Sequence, residues 1–200
     1  DLGPADHVLE IGTGWGGFAL HAASRYGCRV TTTTISSEQH ALARERFAAA
    51  GLTDRIELRF EDYRALRGQF DKLVSIEMIE AVGHAQLPTF FRTCNERLRP
   101  GGAMFLQAIT NLERDYATAL RNVDFVKRYV FPGGQLVSIG AICAALARAG
   151  QLQPTRLEDI TPHYAETLRH WRARMAENRP RMHALGLAER FLRLWDFYLA

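Results

Sequence analysis

Little in this 200-residue chain suggests a metal or disulfide scaffold. It has three cysteines, Cys28, Cys94 and Cys143, and seven histidines, with no paired metal-ligand spacing among them. A zinc site is therefore not expected, and separated thiols in odd number suit a reducing compartment. No secretory signal opens the chain, and no apolar run approaches the roughly 18 residues of a membrane span, so any membrane contact should be peripheral. No block of Lys or Arg stands out, and the formal charge is only +3. That permits a weak preference for anionic surfaces without indicating nucleic acid. Repeats and low-complexity linkers are missing too. An initiator methionine is absent, and the last residue, Ala200, falls inside an apolar helical pattern. The chain thus reads as a segment truncated at both ends.

What is present is a soluble globular composition, 47% hydrophobic and 24% charged. One α/β domain is the default at this length. Apolar stretches alternate with helical patterns: strands at His7–Ile11, Arg29–Ile35, Arg55–Phe60, Phe70–Ile76 and Ala103–Ala108, with helices at Gly17–Tyr26, Ser37–Ala50 and Leu87–Leu98. This alternation predicts a doubly wound, mostly parallel sheet, with ligands gathered outside the carboxyl ends of its strands. Residues 1–110 form the cofactor-binding half. Residues 111–200 add substrate-side helices at Ser138–Ala149, Tyr164–Ala176 and Ala188–Leu199, and a sixth strand at Arg156–Ile160.

The most informative stretch is Val8-Leu9-Glu10-Ile11-Gly12-Thr13-Gly14-Trp15-Gly16-Gly17. A strand ending in a carboxylate runs into a glycine-rich turn and then a helix. Glycine gives positive φ and lets a ligand approach the backbone; the helix start offers free N–H groups. Gly12-x-Gly14-x-x-Gly17 formally fits a dinucleotide fingerprint, which expects an acidic residue about 20 residues on, closing strand 2. Strand 2 ends in Thr31-Thr32-Thr33-Thr34-Ile35, with no carboxylate, and Glu38 lies within Ser36-Ser37-Glu38-Gln39, a capping-box pattern. Glu10 instead precedes the first glycine, where an acidic group favours a cationic sulfonium. S-adenosylmethionine is therefore favoured over a nicotinamide cofactor.

Taken with Thr34-Ile35-Ser36-Ser37-Glu38-Gln39, Asp62-Tyr63-Arg64, Ser75-Ile76-Glu77-Met78-Ile79-Glu80-Ala81-Val82-Gly83, Leu98-Arg99-Pro100-Gly101-Gly102, Lys127-Arg128-Tyr129-Val130-Phe131-Pro132-Gly133-Gly134, and Tyr164 before Trp171, the chain resembles the cyclopropane-fatty-acid synthases. That family includes the mycolic-acid cyclopropane synthases and related S-adenosylmethionine-dependent fatty-acid methyltransferases. The resemblance implies a class I, Rossmann-like methyltransferase fold. It implies methyl transfer to the cis double bond of an unsaturated phospholipid acyl chain, then proton loss from a carbocation to give a cyclopropane. It further implies a bound bicarbonate as proton acceptor. Glu80 and Tyr164 match its side-chain ligands, Ile109 its backbone contact, and Gln107 stands where the family carries histidine. Glutamine can hold an anion but cannot carry a proton, so a methylene or methyl-branched product is the alternative. The family's cysteine upstream of the glycine turn has no counterpart in this chain.

For the cofactor, Glu10, Gly12, Gly14 and Gly16 are expected along the methionine part, with Thr13, Trp15 and Gly17 also in contact with it, Thr34, Ile35, Ser36 and Gln39 near the ribose, and Asp62 with Tyr63 near the adenine. Glu77 should close strand 4 beside either ligand. The resemblance places the protein in the cytoplasm, peripheral to the inner membrane face, and leaves a homodimer open. Arg121, Lys127 and Arg128 form a solvated face or meet anionic headgroups. The stripe Phe191, Leu194, Trp195, Tyr198 is core by spacing, or else an acyl tunnel or membrane-facing surface. Three other functions compete: methylation of a soluble small molecule, non-catalytic binding of cofactor or lipid, and nicotinamide oxidoreduction.

Overall fold

A computed structural model describes residues 1–200, in two compact units. The first comprises Asp1–Leu120 and Gln135–Gln153, the second Arg121–Gly134 and Pro154–Ala200.

The first unit is built on five parallel strands, β1 (His7–Ile11), β2 (Arg29–Thr34), β3 (Ile56–Phe60), β4 (Phe70–Ile76) and β5 (Leu98–Gln107), in the order β3-β2-β1-β4-β5. Its helices are α1 (Gly17–Tyr26), α2 (Ser37–Ala49), α3 (Leu87–Arg97), α4 (Glu113–Arg121, reaching one residue past the unit's edge) and α5 (Ile139–Ala149). Side chains alternate between the two faces of a strand, and the core divides accordingly. Val8, Val30 and Val74 pack with Ala19, Ala22 and Ala23 of α1 and Ala43 and Phe47 of α2. Leu9, Ile11 and Leu73 pack with Phe90, Phe91 and Cys94 of α3 and Ala145, Leu146 and Ala149 of α5. The doubly wound parallel sheet expected from the sequence is the one observed.

Two expectations need correction. Arg156–Ile160 carries no regular structure and does not join the sheet. Its exposed Arg156–Glu158 pair and charged sequence leave it no apolar face to bury. Conversely β5 begins at Leu98, because the turn-like Arg99-Pro100-Gly101-Gly102 runs within the strand. A register irregularity opposite Asp71 absorbs it, and Asp71 accepts both Arg99 Nη1 at 2.5 Å and the His7 N–H at 2.8 Å. Gly102 is confined there, since a Cβ would lie 2.9 Å from the Arg99 carbonyl and 3.0 Å from that of Asp71.

Strand β2 is unusual for a buried parallel strand, which ordinarily reads as Val, Ile and Leu. Its four threonines are all buried, and each hydroxyl has a partner. Thr31 donates to Glu57 (3.0 Å), Thr33 to the Glu61 carbonyl (2.5 Å), and Thr34 to Gln39 Oε1 (2.8 Å). Thr32 donates to Glu10 Oε2 at 2.6 Å and also meets the Thr13 hydroxyl at 2.7 Å. Burial drives Glu10 up to a pKa of about 8, against the opposing effect of the Thr32 hydrogen bond.

The second unit holds one turn of π-helix (Val126–Val130) and helices α6 (Thr161–Glu177), α7 (Arg179–Ala184) and α8 (Glu189–Tyr198). Phe131 meets Trp195 and Tyr198 edge-on at 5.9 and 5.6 Å, and Phe125 meets Phe197 at 5.1 Å. In α8 and its cap the buried residues are Leu192 and Leu199, while Phe191 of the expected core stripe is exposed. No helix is long and apolar enough to cross a membrane.

Two outcomes follow for stability. Gly16 (φ +85°) has Phe47 Cε1 2.8 Å from where a Cβ would sit, whereas Gly17 has open space. Gly16→Ala should cost about 2–4 kcal/mol by denaturant unfolding, and Gly17→Ala should be neutral or slightly stabilising. Glu10, with its folded pKa of about 8 against an ordinary value of 4.5, retains a proton in the folded state that the unfolded chain has already lost. Stability should therefore fall as pH rises from about 4.5 to 8. Glu10→Gln should flatten that decline in urea midpoints measured across the window.

Candidate functional site

In an open α/β sheet, ligands collect where the strand order reverses, here between β1 and β4. The site residues expected from the sequence, Tyr164 apart, gather at the carboxyl ends of the strands: Glu10, Thr34 and Gln107 within β1, β2 and β5, Gly17 and Gln39 in the first turns of α1 and α2, and the others in the segments that follow the strands. The turn after β1 is fastened to β2, because Gly12 and Thr13 both donate to the Thr33 carbonyl at 3.2 and 2.9 Å. Gly12 (φ +100°) lies against Met78, whose Cγ would be 3.0 Å from an added Cβ. Gly14 (φ +52°) and Gly17 face open space, so the backbone there is approachable. Gly16 caps α1, and Gly17 begins it. Trp15 is about half exposed, with its carbonyl accepting Arg46 Nη1 at 2.9 Å.

Glu10 is placed differently from expectation. Its side chain is 3% exposed and lies among Thr32 and Thr13, so it props the glycine turn rather than lining an open groove. The four-threonine run was the signal in the sequence, because hydroxyls in a buried strand require acceptors.

After β2, Ser36 caps α2 by accepting the Gln39 N–H at 3.2 Å. The reciprocal half of the capping box is replaced: Ser36 N–H donates to Thr34 Oγ1, and Thr34 donates to the Gln39 side chain. Ile35 projects into solvent, 72% exposed. After β3, Asp62 accepts the Arg64 N–H and is bridged by the Arg64 guanidinium, which holds its carboxyl below the usual range. Tyr63 packs edge-on against Phe90 at 5.5 Å, and burial pushes its phenol up.

The ends of β4 and β5 are joined closely. Glu77 donates its N–H to the Gln107 carbonyl at 3.0 Å, and Gln107 Nε2 donates back to Glu77 Oε1 at 2.8 Å. Glu77 has φ +48° and is the chain's one non-glycine residue at positive φ, a conformation costing about 1–2 kcal/mol. Glu80 lies on the short helical turn after β4. Its Oε1 accepts the Ile109 N–H at 2.6 Å, while Oε2 is buried with no partner. Desolvation raises its pKa, the Ile109 hydrogen bond works against that, and the nearby Glu77 adds to it.

Gln135 was not anticipated. Its N–H donates to the Glu80 carbonyl at 2.7 Å and its Oε1 accepts the His84 N–H at 2.8 Å, so it staples the turn that carries Glu80. His84 Nδ1 in turn meets the Tyr116 hydroxyl at 2.7 Å. Residue 135 is far from 80 in sequence, and no local pattern marks the pairing. Glu113 accepts from Ser138 Oγ and the Gly140 N–H, both at 3.0 Å, and so fixes the start of α5 just beyond. Tyr164 lies in the first turn of α6, in the second unit.

Comparison with known proteins agrees with the fold. The family model described as mycolic acid cyclopropane synthetase matches residues 1–200. The chain is 43% identical over 194 residues to the tuberculostearic acid methyltransferase UfaA1 of Mycobacterium tuberculosis, covering 97% of this chain and 45% of that protein. It is 35% identical to the cyclopropane-fatty-acyl-phospholipid synthase of Escherichia coli K12, covering 99% and 49% respectively. The chain thus spans about half the length of the curated relatives it matches. Among solved structures, the mycolic acid cyclopropane synthase CmaA1 complexed with SAH and CTAB superposes with a TM-score of 0.87 at 27% identity, over 99% of this chain and 72% of that one. The chain belongs to the mycolic acid cyclopropane synthetase family of S-adenosylmethionine-dependent methyltransferases.

Proposed function

We propose that the protein containing this chain uses S-adenosylmethionine to methylate the cis double bond of an unsaturated phospholipid acyl chain, working at the cytoplasmic face of a membrane. The observation that carries this reading is Glu80, a carboxylate held by one oxygen and buried without a partner at the other, beside the glycine turn's strand. The glycine turn fits the cofactor. Open space above Gly14 and Gly17 leaves room for a ligand, and the start of α1 supplies N–H groups for its carboxylate. Thr34, Ile35, Ser36 and Gln39 are proposed for the ribose, and Asp62 and Tyr63 for the adenine. When bound, the cofactor supplies an electrophilic methyl group.

Glu80 is proposed as the proton acceptor. A buried carboxylate with a raised pKa is a stronger base than an exposed one, and Oε2 is the atom with lone pairs to spare. Taking a proton from the methylated acyl chain at Oε2 lets that chain close to a cyclopropane. Ile109 keeps Oε1 in place, and Gln135 anchors the backbone. For bicarbonate the fit is poor in this arrangement: Ile109 N–H is engaged by Glu80 and Gln107 Nε2 by Glu77, so an added anion would face two carboxylates. The role of Tyr164 rests on the resemblance alone. A second product, a methylene or methyl branch, is favoured by Gln107, which cannot relay a proton, and by the 43% identity to a relative named for tuberculostearic acid.

Full-length protein given S-adenosylmethionine labelled in the methyl group and unsaturated phospholipid vesicles should place label in the acyl chains. Gas chromatography–mass spectrometry then separates cyclopropane from methylene products. Label found only in soluble compounds would reject the lipid substrate. Glu80→Gln should lower kcat by about 100-fold or more and abolish the acid limb of the pH–rate profile, with binding of S-adenosylhomocysteine retained. Turnover in carbonate-depleted buffer should equal that in ordinary buffer.

A further inference from the structure

We propose that Glu77 is a positioning residue that turns Gln107 into a hydrogen-bond acceptor toward the substrate, and so sets the sign of the electrostatics where the acyl chain reacts. The inference rests on the methyl-transfer reading above and adds to it. A glutamine amide can point either its oxygen or its NH2 group at a neighbour, and the network decides which. Facing a carboxylate, which only accepts, Gln107 must turn Nε2 to Glu77, and it does so at 2.8 Å. Its Oε1, the negative end of the amide dipole, is thereby directed away from Glu77. The backbone bond from Glu77 N–H to the Gln107 carbonyl locks the two strand ends together, so the pair has little freedom to rearrange.

The backbone shows that this arrangement is maintained against a cost. Glu77 is the one non-glycine residue at positive φ, where glycine would be unstrained. A strained side-chain-bearing residue at a strand end persists where the side chain is needed. Two residues further along β5's exit, Ile109 secures Glu80. An amide oxygen and two carboxylates therefore cluster at the ends of β4 and β5. Such a wall steadies positive charge developing on an acyl chain and disfavours a bound anion.

The test compares Glu77→Gly, Glu77→Gln and Gln107→Leu in the full-length protein, with vesicles of 1-palmitoyl-2-oleoyl phosphatidylglycerol as substrate. Glu77→Gly should unfold at the same temperature as wild type or higher and bind S-adenosylhomocysteine within about threefold. Its kcat should nevertheless fall about 10- to 100-fold, the span of a charge-assisted hydrogen bond. Gln107→Leu should reproduce that loss, the double variant should be no worse than either single one, and Glu77→Gln, whose amide oxygen can still accept from Nε2, should recover most of the activity. An unchanged kcat in Glu77→Gly or Gln107→Leu overturns the proposal, as does a loss of thermal stability and cofactor affinity in step with activity. The Gln107 side-chain amide signal by NMR should shift in Glu77→Gly; an unmoved signal also overturns it. If wild-type protein methylates no lipid, the functional reading fails, while the melting temperature and amide signal still decide the pairing.

Discussion

The buried hydrogen bond from Thr32 to Glu10 is the constraint around which the cofactor end of the sheet is arranged. A carboxylate with only 3% exposure is expensive unless it is hydrogen-bonded or protonated. Thr32 supplies the bond, Thr13 extends it into the glycine turn, and the Thr33 carbonyl takes the two N–H groups that begin that turn. The β1–β2 register, with Glu10 opposite Thr32, is what allows all of these bonds at once. Sliding β1 against β2 by one residue would turn Glu10 to the opposite face and part it from Thr32. The turn's shape is thus set from below, by the polar interior of the sheet, leaving its upper side free.

The same division of labour recurs at β4 and β5. Polar groups there hold one another in pairs: Glu77 with Gln107, Glu80 with Ile109, and Gln135 with both Glu80 and His84. A lone oxygen, Glu80 Oε2, is left over. Held in place through its other oxygen, that buried atom is chemically distinct, with a basicity set by burial rather than by solvent.

Much of this was legible in the sequence, for reasons specific to each part. The strands showed themselves because their apolar runs are short and separated by helices of different period, and β1 and β4 were placed to the residue. The glycine turn was legible because positive φ at Gly12, Gly14 and Gly16 leaves a compositional trace. At Leu98–Gly102 the sequence points to a turn, because Pro and Gly normally end elements, and only the opposing Asp71 reveals a bulge within a strand. Arg156–Ile160 looked like a strand by local pattern but lacked any neighbour to pair with. The burial of Glu10 leaves a trace only in the four threonines of β2, because its partner lies 22 residues away, and the Gln135 staple leaves none, its partners being more distant still. The positive φ of Glu77 had no trace at all, since glutamate does not advertise that conformation.

Helix α5, whose Ala145, Leu146 and Ala149 cover Leu9, Leu73 and Phe90, comes after the chain has left the first unit at residue 121 and returned at 135. During synthesis β5 is finished at Gln107 and α3 already lies on one part of that face, yet the part that α5 covers stays exposed until residue 149 has emerged. At about 5–20 residues per second, that part of the face is open for seconds, long enough for unwanted apolar contacts to form.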